Sequence, residues 1–212
     1  MYYHASPIRG ITQLKPHVSN HGTPLIYFSK KRENVLVYLS NAIEKYCRET
    51  GFSYDGVWQK WGPYGFDKDG HQRLEEYYPD ALLRTYKGVS GYIYRAETIP
   101  ESDFEVQIPD AAASRVPVDV TGAEFIPDAY EAFLHEQEAG NILLLDYAHF
   151  ASDPEKFAKK RAWLEKAISE EIRKKAIWKA PDSDCARYYR ENYPEIWEHT
   201  LEEVIFHGKP EN

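Results

Sequence analysis

Two cysteines and one methionine are all the sulfur this chain of 212 residues carries. Cys47 and Cys185 stand in separate segments with no CxxC spacing, so neither a disulfide framework nor a structural zinc site is expected. A reducing, cytoplasmic compartment is the simplest expectation. Long apolar runs are missing as well. No stretch reaches the roughly 18 apolar residues of a membrane span, and the first residues lack a basic region followed by a hydrophobic one. Positive charge is the third shortage: 26 Lys and Arg face 34 Asp and Glu, a net charge of −8. That balance argues against a broad nucleic-acid or anionic-membrane surface, and leaves room for a small basic pocket. Internal repeats and low-complexity runs are also lacking.

Aromatic residues are plentiful. They make up 15% of the chain, with 17 tyrosines, and hydrophobic residues reach 42%. This is enough to bury a core and to exclude global disorder. Tyrosine suits half-buried sheet faces and clefts, where one end of the ring is apolar and the other wet.

The pattern from Leu25 to Tyr46 organises the reading. Leu25-Ile26-Tyr27-Phe28-Ser29 reads as a buried strand, and Lys30 to Asn34 as a short charged turn. Residues 35, 36, 39, 42, 43 and 46 then fall on one face of a helix, with Tyr38 on its rim. Before this unit, Met1 to Ser6 is an aromatic strand and residues 11–24 a turn-rich loop. His17 and His21 are four apart there, but Pro16, Asn20 and Gly22 deny them a helix on which to share a metal.

After it, Phe52 to Trp61 reads as a strand and Gly62-Pro63-Tyr64-Gly65 as a turn. Asp67-Lys68-Asp69-Gly70 reads as a charged turn, because its Gly comes too early for a calcium loop. Gln72 to Tyr86 predicts a short helix interrupted at Pro79. Gly91 to Glu97, Asp103 to Ile108 and Arg115 to Val120 predict strands, the last an edge strand because of Pro117. Pro127 to Ala139 predicts a helix with Tyr130, Phe133 and Leu134 inward and Gly140 as its stop. Asn141 to Tyr147 predicts a last strand. From Asp153 the composition turns helical: one long helix with Phe157, Leu164, Ile168 and Ile172 inward, a break at Ala180-Pro181-Asp182, and a second carrying Tyr189, Tyr193, Trp197, Leu201 and Val204.

Residues 1–150 therefore form an α+β domain, and 151–212 a helical extension packed on it. If the first two long strands are neighbours, His4 and Tyr27 reach one cleft. An imidazole and a phenol there can bind a ribose or a carboxamide while Tyr38 stacks on a flat ring. The plain alternative is that all three are satisfied core groups.

Tyr3-His4-Ala5-Ser6, Leu25-Ile26-Tyr27-Phe28-Ser29 and Tyr38 together resemble the ADP-ribosyltransferases. The likeness is to the diphtheria-toxin-like branch that includes the poly(ADP-ribose) polymerases. That branch opens on a strand ending His-Gly-Ser/Thr, has Gly-Ile-Tyr-Phe-Ala on its second strand, and places a further tyrosine eleven residues after the strand tyrosine. Tyr27 and Tyr38 keep that spacing. The resemblance covers about residues 1–150. It implies a split mixed or antiparallel sheet with flanking helices and NAD as the bound dinucleotide. Ala5, Ser6 and Ser29 would lie in the cofactor site, with His4 on the adenosine-side ribose and Tyr27 and Tyr38 sandwiching the nicotinamide. The activity implied is transfer of ADP-ribose to a protein or nucleic-acid end. A catalytically silent binding module and an NAD-dependent RNA 2′-phosphotransferase are the alternatives, Arg9, Lys15 and Arg32 being the cations the latter would use.

Two departures stand out. Ala5 replaces the family glycine, and Val35 replaces a serine that bonds the carboxamide. The family's catalytic glutamate begins a later strand. Glu105 in Phe104-Glu105-Val106-Gln107-Ile108 is the best match by pattern, with Glu97 and Glu124 as rivals.

Overall fold

A computed structural model describes residues 1–18, 22–40, 42–51, 64–76, 78–100, 104–174 and 184–206. His21, the expected strand Phe52 to Trp61 and the expected break at Ala180 to Asp182 lie outside these. The protein is α+β, and the chain divides into two compact units. One comprises Met1–Ala42, Gly56–Glu76 and Asp80–Leu145; the other comprises Ile43–Asp55, Tyr77–Pro79 and Asp146–Asn212.

The first unit is built on an antiparallel sheet. Its strands are β1 (Tyr2–Ser6), β3 (His17–Val18), β4 (Pro24–Ser29), β7 (Gly91–Ala96), β8 (Ala111–Ser114) and β10 (Gly122–Ile126). They lie in the order β10-β7-β1-β4-β3, with β8 also paired to β4. A smaller sheet holds β5 (Tyr64–Phe66), β6 (Gln72–Glu75) and β11 (Ile142–Leu145), β11 running parallel to β6. A third pairing joins β2 (Gln13–Leu14) to β9 (Val118–Asp119). β7, the sequence Gly-Tyr-Ile-Tyr-Arg-Ala, has the aromatic and β-branched content that suits a pleated surface. Its Ile93, Tyr94 and Ala96 are each at most 1% exposed.

Alternation along β1 and β4 sorts side chains between two faces. Ile26 and Phe28 enter a cluster with Leu14, Ala96 and Val118, against which Tyr2, Ile11, Ile99 and Val120 pack. Leu25, Tyr27 and Ser29 belong to the other face.

The helix expected over 35–46 is two elements. A 3₁₀ helix spans Glu33–Leu39 and buries Asn34, Val35, Leu36, Val37 and Leu39, nearly its whole circumference. At Ser40 the backbone is extended (φ −137°, ψ 156°), and the Ser40 hydroxyl donates to the Thr85 carbonyl at 2.7 Å. That side-chain bond draws the backbone out of the helix, and α1 (Ala42–Thr50) starts afresh. The 3₁₀ helix lies close to β7 because Gly91 has no side chain: a Cβ there would stand 2.7 Å from Leu39 Cδ2, and 3.1 Å from the Ser6 carbonyl oxygen of neighbouring β1.

Other expectations are corrected. Gln72 to Tyr86 is strand β6 followed by α2 (Ala81–Tyr86), whose Leu82 N–H donates to Glu76 at 2.9 Å. Tyr64 and Gly65 belong to a strand and not to a turn. Of the expected 115–120 strand, Val118 and Asp119 form a ladder with β2, and Val120 N–H donates to the Thr12 carbonyl at 2.9 Å. Residues 104–108 form no strand. α3 (Ala129–Glu138) agrees with the sequence: the Asp128 carboxylate caps the amides of Tyr130 and Glu131, and Gly140 at φ +77° ends it.

The second unit contains α1 as well as α4 (Tyr147–Ala151), α5 (Pro154–Lys174), α6 (Asp184–Asn192) and α7 (Pro194–Phe206). Leu164, Ile168 and Ile172 are buried as the α5 stripe predicts. The single last helix of the sequence reading is two, divided where Pro194 takes the first helical position of α7. Its core is a tyrosine cluster: Tyr188 lies 5.6 Å from Tyr46, 5.5 Å from Tyr189 and 6.3 Å from Tyr193. Among the described residues no helix is long and apolar enough to cross a membrane.

Candidate functional site

β1 meets β7 through five consecutive residue pairs, but meets β4 through one, Tyr3 with Ser29. The central sheet is therefore split between the two strands that carry His4 and Tyr27. Within the split the His4 imidazole substitutes for a ladder bond. Its Nδ1 donates to the Tyr27 carbonyl at 2.8 Å. A carbonyl can only accept, so Nδ1 carries the proton and Nε2 of the neutral ring keeps its lone pair. Burial holds His4 below its ordinary value of 6.5; the bond to Tyr27 works in the opposite direction, and the nearby His17 adds a smaller lowering. The ring lies 6.0 Å from that of Phe28 at a 58° tilt.

His4 thus reaches the main chain of Tyr27. The two rings leave the sheet on opposite faces, because Tyr27 alternates with Phe28. Ala5 is 7% exposed and sits opposite Ile93. Ser6 and Ser29 are buried, and each hydroxyl accepts from an amide two residues on, Ile8 N–H at 3.2 Å and Lys31 N–H at 3.1 Å. These two serines shape the exits of β1 and β4. Tyr27 is half-buried, as is Tyr38 on a 3₁₀ helix otherwise inward-facing. Val35 is buried at 2% exposure and brings no polar group.

On its other side β4 pairs with β8: Tyr27 with Ala113, Phe28 with Ala112 and Ser29 with Ala111. A carboxylate beginning the strand beside Tyr27 would therefore stand at Ala111, and β8 has none. Glu105 is exposed on irregular chain six residues earlier. Glu97, just past β7, is exposed too. Glu124 is engaged elsewhere. The Arg32 guanidinium donates to both Glu124 oxygens (2.8 and 2.5 Å) and to buried Glu136 (2.5 Å), which also accepts from Asn141 Nδ2 at 2.7 Å. The bonds from Arg32 hold the Glu124 carboxyl below its usual range.

The carboxylate at the head of β8 is Asp110, which the sequence reading missed. Its backbone is left-handed (φ +59°), its carbonyl accepts from Lys30 N–H at 2.8 Å, and its carboxylate lies 3.4 Å from Lys31 Nζ. The only sequence signal was Pro109-Asp110, a turn dipeptide before a polyalanine strand too weakly patterned to read.

The Asp67 turn is stapled internally. Its carboxylate accepts from Asp69 N–H (2.9 Å) and His71 N–H (2.8 Å), and lies 3.1 Å from His71 Nδ1. His17, on β3, is exposed. No family model, no curated protein and no solved structure matches this chain.

Proposed function

We propose that the protein binds NAD in the split between β1 and β4 as an ADP-ribosyltransferase-like protein. The observation that carries this is the split itself, with His4 fixed across it on the Tyr27 carbonyl. Fixing Nδ1 leaves Nε2 as an acceptor of set direction, suited to a ribose hydroxyl. Because the His4 and Tyr27 rings leave the sheet on opposite faces, the dinucleotide would thread the split, with the ribose at the His4 face and the nicotinamide at the Tyr27 face. Tyr27 and Tyr38 supply two half-buried rings, eleven residues apart, for the flat nicotinamide. Breaking the nicotinamide–ribose bond builds positive charge on the ribose, which a carboxylate must face. Glu105 is the candidate by sequence pattern and Asp110 by position at the head of β8. With either one, ADP-ribose passes to a protein or nucleic-acid acceptor and nicotinamide leaves.

A second reading keeps NAD binding without transfer. Its support is specific: the strand beside Tyr27 opens Ala111-Ala112-Ala113, where the resemblance asks for glutamate.

Calorimetry with NAD tests the common part, with Tyr27→Ala as the control. No heat at millimolar NAD ends both readings. Nicotinamide release is then followed in the parent chain, Glu105→Gln and Asp110→Asn. Release abolished by one substitution assigns the carboxylate; binding without any release selects the second reading.

A further inference from the structure

Asn34 and Gln72 bury polar groups that the protein does not satisfy. Asn34, on the 3₁₀ helix, is 5% exposed, and Gln72, on β6, is 1% exposed. Gln72 Nε2 donates to the Asn34 carbonyl at 3.3 Å, which brings the two residues together. Three atoms remain sealed from solvent without a partner among the described residues: Asn34 Nδ2, Asn34 Oδ1 and Gln72 Oε1. Turning the Asn34 amide over exchanges its two atoms and leaves the same set. Turning Gln72 over sets its oxygen against the Asn34 carbonyl, acceptor to acceptor, so its orientation is fixed.

The unmet atoms are one nitrogen, which carries two N–H groups, and two acceptor oxygens. An anion would suit Nδ2 and be repelled by both oxygens. A cation would suit the oxygens and be repelled by Nδ2. A neutral molecule with two donors and one acceptor gives each of the three atoms a partner, and three bonds is the usual complement of a buried water. We propose that Asn34 and Gln72 bind one internal water, which donates to Asn34 Oδ1 and Gln72 Oε1 and accepts from Asn34 Nδ2.

This water ties a particular piece of chain. The bend from Lys30 to Arg32 and the start of the 3₁₀ helix separate Tyr27 from Tyr38, and Lys31 Nζ already donates to the Gly70 carbonyl at 3.1 Å. Lys31 and the water then clasp this bend and the first turn of the helix to residues 70 and 72. The site stands whether or not NAD binds.

A crystal structure that resolves ordered solvent should show one water within hydrogen-bonding distance of all three atoms. Water-oxygen relaxation dispersion should lose one long-lived water in the Asn34→Leu/Gln72→Leu double variant. In urea, Asn34→Leu alone should lower the folding equilibrium constant roughly ten- to a hundred-fold, and the double variant should recover part of this because no acceptor is then stranded. A protein side chain in the water's place, or a dispersion amplitude unchanged in the double variant, overturns the proposal. If Asn34→Leu does not fold, the crystal structure of the parent chain decides by itself.

Discussion

The His4 imidazole donates to the Tyr27 carbonyl across 2.8 Å, at the point where β1 and β4 part after a single residue pair. A strand carbonyl that lost its ladder partner would otherwise need water or a ligand. One side chain therefore both tolerates the opening and lines it.

His4 predicts a pH dependence. Its folded value is lowered, so the native state prefers the neutral ring while the unfolded chain protonates near 6.5. Between the folded value and 6.5 the unfolded state binds more protons, so stability is full above 6.5 and falls as the solution is acidified through that window. Urea midpoints measured from pH 8 to pH 5 (roughly the range in which His titrates) should decline, and His4→Phe should flatten the decline. Glu124, held low by Arg32, adds a separate loss only below its ordinary 4.5.

The Arg32 hub should respond unequally at its two ends. Arg32→Ala leaves the Glu136 carboxylate, which is 7% exposed, without its cationic partner, and should cost about 3 kcal/mol. Glu124→Ala removes a partner whose side chain is 46% exposed and should cost about 1 kcal/mol or less. Chemical denaturation of both variants gives the ratio, and equal losses would contradict the assignment.

Asp110 should tolerate glycine and reject a branched side chain. At φ +59° glycine is unstrained, so Asp110→Gly should leave stability within about 1 kcal/mol. Asp110→Val should cost about 2 kcal/mol, because a β-branched residue is a steric outlier in this region. Thermal melts separate the two.

Gly91→Ala should destabilise by about 1–3 kcal/mol, since the new methyl meets a buried Leu39 and the Ser6 carbonyl. Leu39→Ala in the same chain should restore part of the loss by clearing the nearer contact, at the separate cost of its own cavity. A double-mutant cycle reads the coupling.

In the second unit, Thr200 Oγ1 donates to the Ile196 carbonyl at 2.7 Å, so the bond to Ser169 Oγ, also 2.7 Å, must be donated by the serine. Thr200→Val removes Ser169's acceptor inside the core and should cost about 1–2 kcal/mol, whereas Ser169→Ala leaves Thr200 satisfied and should cost less. Urea unfolding measures both.

What could be read from sequence follows from local patterning. β1, β4, β7, α3 and α5 each have a strong period or cap of their own. The break at Ser40 was hidden because its cause is a carbonyl forty-five residues away, at Thr85. β6 does not show as a strand in the sequence because Gln72 and Glu75 are buried polar residues on a strand flanked on both sides, which erases the alternation. In the candidate site, sequence placed His4 and Tyr27 on adjacent strands. It missed that contact would pass through a carbonyl, and that irregular chain would separate Glu105 from the strand it was meant to begin.

The position of β1 also has a temporal consequence. Its five-pair ladder is with β7, whose residues follow about ninety positions later, Ala96 opposite Tyr2. At typical translation speeds that partner emerges on the order of ten seconds afterwards. Throughout that delay an aromatic ribbon beginning Tyr-Tyr-His waits without its main neighbour, so chaperone engagement or self-association of nascent chains should concentrate on β1.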